Sequence, residues 1–211
     1  MNKIIKLNNI FYKQKDITIL NDVSLSLNFG KTYIIKGDNG AGKTSLLKLM
    51  YGLIEPSSGN VNRIFNNTYK STYLFQNSVF LNTTVSENLK NVLYCSDITK
   101  DKHNKMVDDL LTRYNLINLK DIAVKKLSGG EKQLLSILRT LIINPDIFFY
   151  DEPTNNLDKK NFCIIIDLFQ KLLDENKQLI IISHDDELLQ LFDYTEIFIE
   201  SGKVINEKNI I

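Results

Sequence analysis

The sequence predicts an α/β fold, a parallel sheet covered by helices on both faces. Short, bounded apolar runs in "KTYIIKG", "DIFFYDE" and "QLIIIS" read as strands buried on both sides. Between them lie segments whose apolar residues recur three and four apart, the spacing of amphipathic helices. Strands alternating with helices in this way imply a parallel sheet. Two departures refine the prediction. The opening residues alternate apolar and polar, and the stretch from Thr83 to Leu119 keeps helical spacing with no strand-like run, so a helical lobe is expected to be inserted into the α/β chain.

Taken in order, "NKIIKLNNIFY" and "DITILNDVSLSLNFG", with a turn at Asn28 to Gly30, predict antiparallel strands with one solvated face. "KTYIIKG" is a buried strand that ends at a glycine, and "KTSLLKLMYGLI" is a helix that "EPSSGNVN" breaks with Pro56 and Gly59. "STYLFQ" is a further strand. "TVSENLKNVL" and "KHNKMVDDLLTRYNLI" supply the helices of the lobe. The helix "GEKQLLSILRTLII" stops at Pro145; the strand "DIFFYDE", the helix "KKNFCIIIDLFQKLLDEN" and the strand "QLIIIS" follow. A short helix "DELLQLF" and the strands "YTEIFIES" and "KVINE" close the chain. Within this scheme His103, on a polar stretch, is expected to be solvated, and Cys163, among apolar helix positions, is expected in the core.

The bulk numbers fit that fold. The 211 residues suit one domain with lobes, with ordinary hydrophobic (43%) and charged (24%) content. A net charge of +1 argues against nucleic-acid binding driven by overall charge. Cys95 and Cys163 form no CxxC pair, and with no secretory segment at the start they read as reduced cytosolic thiols. No apolar run approaches the length needed to span a bilayer, so a role at a membrane would require a partner that crosses it.

The chemistry starts at "GDNGAGKT", Gly37 to Thr44, a full P-loop pattern with a strand before it and a helix after it. Gly37, Asp38, Asn39, Gly40, Ala41 and Gly42 turn backbone N–H groups around phosphate oxygens, and the helix N-terminus adds partial positive charge. Lys43 reaches the β- and γ-phosphates, the Thr44 hydroxyl can ligate Mg²⁺, and Ser45 continues the first helical turn. "IFFYDE" brings Asp151 to the end of a buried strand, where it can hold Mg²⁺. Glu152, one residue on, points differently and is placed to polarise an attacking water. Gln76 and His184 end strands at the same sheet edge, Gln76 to touch metal and water and His184 to reach the γ-phosphate. "LSGGE", Leu127 to Glu131, opens a second glycine-rich helix. Ser128 and Glu131 form a capping box, which explains them and leaves Gly129 and Gly130 unexplained. Bare glycines at a helix N-terminus offer a second anion site with close backbone approach.

Together these residues resemble the nucleotide-binding domain of ATP-binding cassette (ABC) transporters over nearly the whole chain. "GDNGAGKT" resembles its Walker A, "YLFQ" its Q-loop, "LSGGE" its signature, "IFFYDE" its Walker B, "NNLD" (Asn155 to Asp158) its D-loop and His184 its switch histidine. The resemblance implies a P-loop NTPase (RecA-like) core, an N-terminal antiparallel β subdomain and an inserted α-helical subdomain. Residues 1–76 and 127–211 would form the core with the β lobe, and about 77–126 the helical subdomain. It implies ATP and Mg²⁺ as cofactors, with Glu152, His184, Gln76 and Lys43 catalytic and Thr44, Gln76 and Asp151 at the metal.

It further implies a head-to-tail dimer, homodimeric or with a related cassette. Ser128, Gly129, Gly130 and Glu131 of one protomer would cover the nucleotide of the other. A separate transmembrane permease subunit would hold the chain on the cytoplasmic, inner face of the membrane, with no nucleic-acid partner. Counting from "LNNI" and "LNDVSL", the family's adenine-stacking position falls on Gln14, and Tyr12, two residues earlier, is the candidate ring. Leu134 stands where many members carry arginine. The short stretch from Gly59 to Gln76 implies a trimmed β lobe, and no regulatory domain is expected after the last strand. "NSVFLNTTVSENL" resembles an exporter-type segment, which favours export of a peptide or small hydrophobic substrate. The alternative is a soluble single-cassette ATPase of a cofactor-assembly or ribosome-linked complex.

Overall fold

The computed structural model describes residues 3–64, 69–155, 157–190 and 193–210. Strands β1 (Lys3–Gln14) and β2 (Ile17–Asn28) pair antiparallel, joined by a turn in which Lys15 takes a left-handed φ of 56°. β3 (Tyr33–Lys36) follows, then helix α1 (Lys43–Tyr51). β4 (Ser58–Arg63) returns to the free edge of β1, giving a three-stranded sheet in the order β2-β1-β4. The sequence reading treated this region only as a helix break, because "SGNVNR" has almost no apolar alternation. Its strand exists through backbone pairing: Gly59 approaches β1 so closely that a Cβ there would stand 2.2 Å from the Asn9 carbonyl oxygen.

The second sheet contains β3 with β5 (Ser71–Leu74), β6 (Ile147–Asp151), β7 (Gln178–Ile182), β8 (Tyr194–Glu200) and β9 (Lys203–Ile210). Its order is β5-β6-β7-β3-β8-β9, parallel throughout except for the antiparallel β8–β9 hairpin. All of β6 and β7 is buried, as the unbroken apolar runs require.

Successive side chains alternate between two cores. Tyr33, Ile35, Phe149, Ile180 and Ile182 join α1 and the antiparallel sheet on one face. Ile34, Phe148, Tyr150, Leu179 and Ile181 face the other core. That core also takes side chains from α2 (Val85–Tyr94), α3 (Lys100–Arg113), α4 (Gly129–Leu141) and α5 (Lys159–Asp174). A one-turn helix α6 (Asp186–Leu189) follows β7; the end of its predicted span, Leu191 and Phe192, lies outside the described residues.

Two expectations are corrected. His103 is buried at 3% exposure: with Val107 and Leu111 it forms the inner stripe of α3, at spacing i, i+4, i+8. Its Nε2 lies 3.0 Å from the Ile98 carbonyl oxygen and its ring centroid 5.0 Å from that of Tyr94. The flanking lysines and asparagine masked that stripe. Cys163 is exposed, as is Cys95. The buried stripe of α5 is Asn161, Ile165, Leu168, Phe169 and Leu172, and position 163 falls beside it.

Candidate functional site

Four functional segments leave the same edge of the parallel sheet. β3 runs into the P-loop, β5 towards Gln76, β6 ends on Asp151, and β7 ends two residues before His184. Their ends are in register, since Asp151 and Ile35 both lie opposite Ile182. Such an edge is where ligands collect in open α/β sheets.

The P-loop is shaped by its glycines. A Cβ on Gly37 would stand 2.0 Å from the Ile199 carbonyl oxygen, so the loop can pass β8 only with glycine there. Gly42, at φ 106°, turns the chain into α1, which has no side-chain N-cap, so its N-terminal donors are not answered by a capping side chain. Lys43 is buried at 6% exposure. Its ammonium donates to the carbonyls of Gly37 (2.6 Å) and Asp38 (2.9 Å) and folds back beneath its own loop. Asp38, Asn39 and Gly40 form the exposed rim, while Thr44 and Ser45 are half-buried on the first turn of α1.

Asp151 is 2% exposed. Its Oδ1 accepts from the Thr44 hydroxyl at 3.3 Å and its Oδ2 from the Tyr73 hydroxyl at 3.4 Å. Burial raises the Asp151 carboxyl above the usual carboxylate range; the Thr44 bond opposes this and the nearby Glu152 charge adds to it. Glu152 adopts a left-handed φ of 53°, and its N–H donates to the Ile182 carbonyl at 3.0 Å. That backbone turn separates its side chain from that of Asp151. Its Oε2 accepts from Gln76 Nε2 at 2.7 Å and also from Asn155 Nδ2. The structure therefore brings Gln76 to Glu152, and Thr44 to Asp151. His184 is exposed at the same edge.

The second glycine-rich helix start carries both bonds of the capping box. Glu131 N–H donates to Ser128 Oγ at 3.2 Å, and Ser128 N–H to Glu131 Oε2 at 2.8 Å. The two glycines differ. A Cβ on Gly130 would stand 2.3 Å from Asn161 Nδ2, whereas one on Gly129 would meet nothing within 4 Å. Leu134, by contrast, is buried in the core. Gln133 ties the same helix to the loop after β6, donating to the Pro153 carbonyl at 2.8 Å.

A family model described as "ABC transporter" matches residues 20–155. The chain belongs to the ABC transporter family. It is 32% identical to the ABC transporter ATP-binding protein YtrE of Bacillus subtilis, covering 85% of this chain and 84% of that protein. It is also 32% identical to a protein of Caldanaerobacter subterraneus provisionally named as an ABC transporter ATP-binding protein, over 91% of this chain and 86% of the other. Among solved structures it matches the dimeric post-hydrolysis state of the ATP-binding cassette MJ0796 bound to ADP and Pi. That match has a TM-score of 0.85 at 25% identity, covering 98% of this chain and 99% of that one. It matches cbiO1 from Clostridium perfringens, part of the ABC transporter complex cbiONQ, with a TM-score of 0.83 at 25% identity, covering 99% and 89%.

This ABC cassette is an ATP-binding and ATP-hydrolysing protein with the P-loop NTPase fold. Among the described residues no helix is long and apolar enough to cross a membrane. In the D-loop segment, Asp158 caps α5 by accepting from Asn161 N–H at 2.8 Å, while Asn156 lies outside the described residues. Tyr12 is half-buried against the core of the antiparallel sheet, and Gln14 is exposed at the end of β1. Sequence reasoning missed Tyr73, and it placed Asn155 in the D-loop motif without its contact to Glu152. Strand alternation alone could not find Tyr73, which shares a face with Asp151 only because β5 pairs with β6 and sets Tyr73 opposite Phe149. The motif that contains Asn155 did not specify that its side-chain amide turns back to Glu152.

Proposed function

We propose that this ABC cassette is the motor subunit of a membrane transporter, working as a dimer with a separate permease. The observation that carries this reading is the pairing of the nucleotide edge with a groove of about 450 Å³ lined by Phe75 and Asn77, the residues on either side of Gln76. Phe75 and Val79 line that groove and stand 46% and 84% exposed, together with Val92 and with Arg139, whose guanidinium donates to the Val79 carbonyl at 2.6 Å. Apolar side chains left open beside a catalytic loop suit a partner that must sense that loop. The groove lies where the core meets the helical subdomain, which we assign to about residues 77–126. The core and β lobe are assigned to 1–76 and 127–211.

At the nucleotide edge, the P-loop backbone from Gly37 to Gly42, with Ser45, would cradle ATP phosphates. Lys43 would exchange its loop carbonyls for phosphate oxygens, and Tyr12 is the candidate adenine contact. The Thr44 hydroxyl and the buried Asp151 carboxylate, converging at 3.3 Å, fit Mg²⁺. They are hard oxygen donors, few enough to leave room for phosphates and water, and Gln76, whose amide donates to Glu152 in the nucleotide-free chain, would turn to the metal. When bound, Mg²⁺ would supply charge neutralisation for the transferred phosphoryl group. Glu152 would accept the proton of the attacking water, and His184 would donate to the γ-phosphate. Ser128 to Glu131 of a second protomer, arranged head to tail, would cover the phosphates from the opposite side.

The segment before α2 supports export of a peptide or small hydrophobic substrate, through its resemblance to exporter cassettes. Locally, Thr84 caps α2 by accepting from Glu87 N–H, and buried Asn88 donates to the Leu81 and Thr84 carbonyls. The chain would then work at the inner face of the membrane.

The test is co-purification of the tagged chain from detergent-solubilised membranes of its source. A polytopic membrane protein should be retained, and Val79→Asp should release it while leaving the far-UV circular dichroism unchanged. Retention by the variant equal to that of the wild type would place the partner surface elsewhere.

A further inference from the structure

The buried phenol of Tyr73 stands at the nucleotide edge beside Asp151. Its ring is 8% exposed, packed between Tyr51 and Phe75 with centroid separations of 5.4 Å and 4.8 Å, and a phenylalanine would fill the same space. A phenylalanine would also avoid burying a hydroxyl, which costs free energy unless a partner answers it. The partner is Asp151, whose Oδ2 lies 3.4 Å from the Tyr73 hydroxyl. The other carboxylate oxygen, Oδ1, faces Thr44. Strand pairing makes this placement rigid. Tyr73 lies opposite Phe149 on the neighbouring strand, and Asp151 is two residues further along the same face.

We propose that Tyr73 is a positioning residue for the metal-holding carboxylate. By donating to Oδ2 it fixes the rotation of the Asp151 carboxylate, so that Oδ1 is presented to the divalent cation shared with Thr44. The inference rests on the reading of Thr44 and Asp151 as the Mg²⁺ site. Groups that orient a metal-binding side chain from behind commonly change metal affinity 10- to 100-fold when removed. A long O–H···O contact to a small carboxylate belongs at the lower end, about tenfold.

The experiment is a Mn²⁺ titration of the full chain, loaded with a non-hydrolysable ATP analogue and followed by electron paramagnetic resonance. Tyr73→Phe and Asp151→Asn are compared with wild type, and each variant's analogue affinity is also measured in EDTA. Tyr73→Phe should weaken Mn²⁺ about tenfold and leave analogue affinity in EDTA unchanged, while Asp151→Asn should weaken Mn²⁺ more. If Tyr73→Phe binds Mn²⁺ as wild type while Asp151→Asn does not, Tyr73 only packs and the proposal is overturned. Loss of analogue affinity in EDTA by Tyr73→Phe would equally overturn it, because a purely structural lesion would then account for the effect. If Asp151→Asn itself leaves Mn²⁺ binding intact, the metal-site reading fails first and the proposal falls with it.

Discussion

Gly130 packs against Asn161 with no room for a side chain, since a Cβ would stand 2.3 Å from Asn161 Nδ2. Asn161 cannot readily yield. It is buried at 6% exposure, and its side chain donates to Asp158 Oδ2 at 3.0 Å. Gly130 is therefore glycine because two helix N-termini meet there. Gly129 has open space instead, so nothing in its own chain requires the missing side chain.

That asymmetry gives a paired prediction. Gly130→Ala should destabilise the protein by about 1–3 kcal/mol through overpacking, lowering the thermal midpoint by roughly 2–12 °C. Gly129→Ala should leave the midpoint unchanged or slightly raised, because alanine is the better helix former. If Gly129 faces a second protomer's phosphates, the same variant should still lose ATPase activity. Calorimetry and steady-state phosphate release on both variants separate the two roles; full activity in Gly129→Ala would remove the phosphate assignment from Gly129.

Glu152 is held by side-chain amides from Gln76 and Asn155 on one carboxylate oxygen, Oε2. The other oxygen is then the one placed to take a proton. Glu152→Gln keeps the shape and removes the base, so hydrolysis should fall about 10²- to 10⁴-fold. ATP binding should persist, and an ATP-dependent dimer should accumulate in size-exclusion chromatography. Hydrolysis at the wild-type rate would assign the base elsewhere. Ser128→Arg should abolish hydrolysis while single-chain ATP binding survives; equal loss of binding would mean that "LSGGE" serves its own chain's nucleotide.

The parts of this fold that were legible in the sequence are those whose signal is local. The strands "IFFYD" and "QLIII" declare themselves by apolar runs that have no solvated face. The P-loop and the capping box at Ser128 declare themselves by residue type at fixed spacing. What stayed hidden depends on distant partners. β4 has one inward apolar residue, Val61, and owes its existence to the edge of β1. His103 is buried by the face that α3 presents to the lobe, against a flank of lysines. The contacts of Tyr73 with Asp151 and of Gln76 with Glu152 each span more than 70 residues, so no window of sequence contains both ends.

Burial raises the Asp151 carboxyl chiefly by desolvating its charged form. For a carboxyl raised in the folded state, the stability it contributes is complete below its unfolded value, near pH 4. That contribution is lost as pH rises through the higher folded value. At neutral pH the ionised carboxylate is thus a net cost in the nucleotide-free protein. Asp151→Asn should raise the thermal midpoint of nucleotide-free protein at pH 7.5, and the gap to wild type should close as the pH falls towards about 4. A midpoint difference independent of pH would show that the change acts through packing instead.

His103 anchors the turn between α2 and α3 from inside, with its Nε2 on the Ile98 carbonyl and its ring against Tyr94. Its Nδ1 is buried with no hydrogen-bond partner among the described residues, so the ring is held by packing and one polar contact. His103→Ala would leave a cavity and an unanswered carbonyl, at a cost of about 2–4 kcal/mol. The P-loop belongs to the other core, across the sheet, so the loss should stay local. Amide exchange in residues 85–113 should accelerate on this substitution while exchange in α1 and ATP affinity hold at wild-type levels. Acceleration spreading equally into α1 would mean that the helical lobe and the nucleotide core unfold as one cooperative unit.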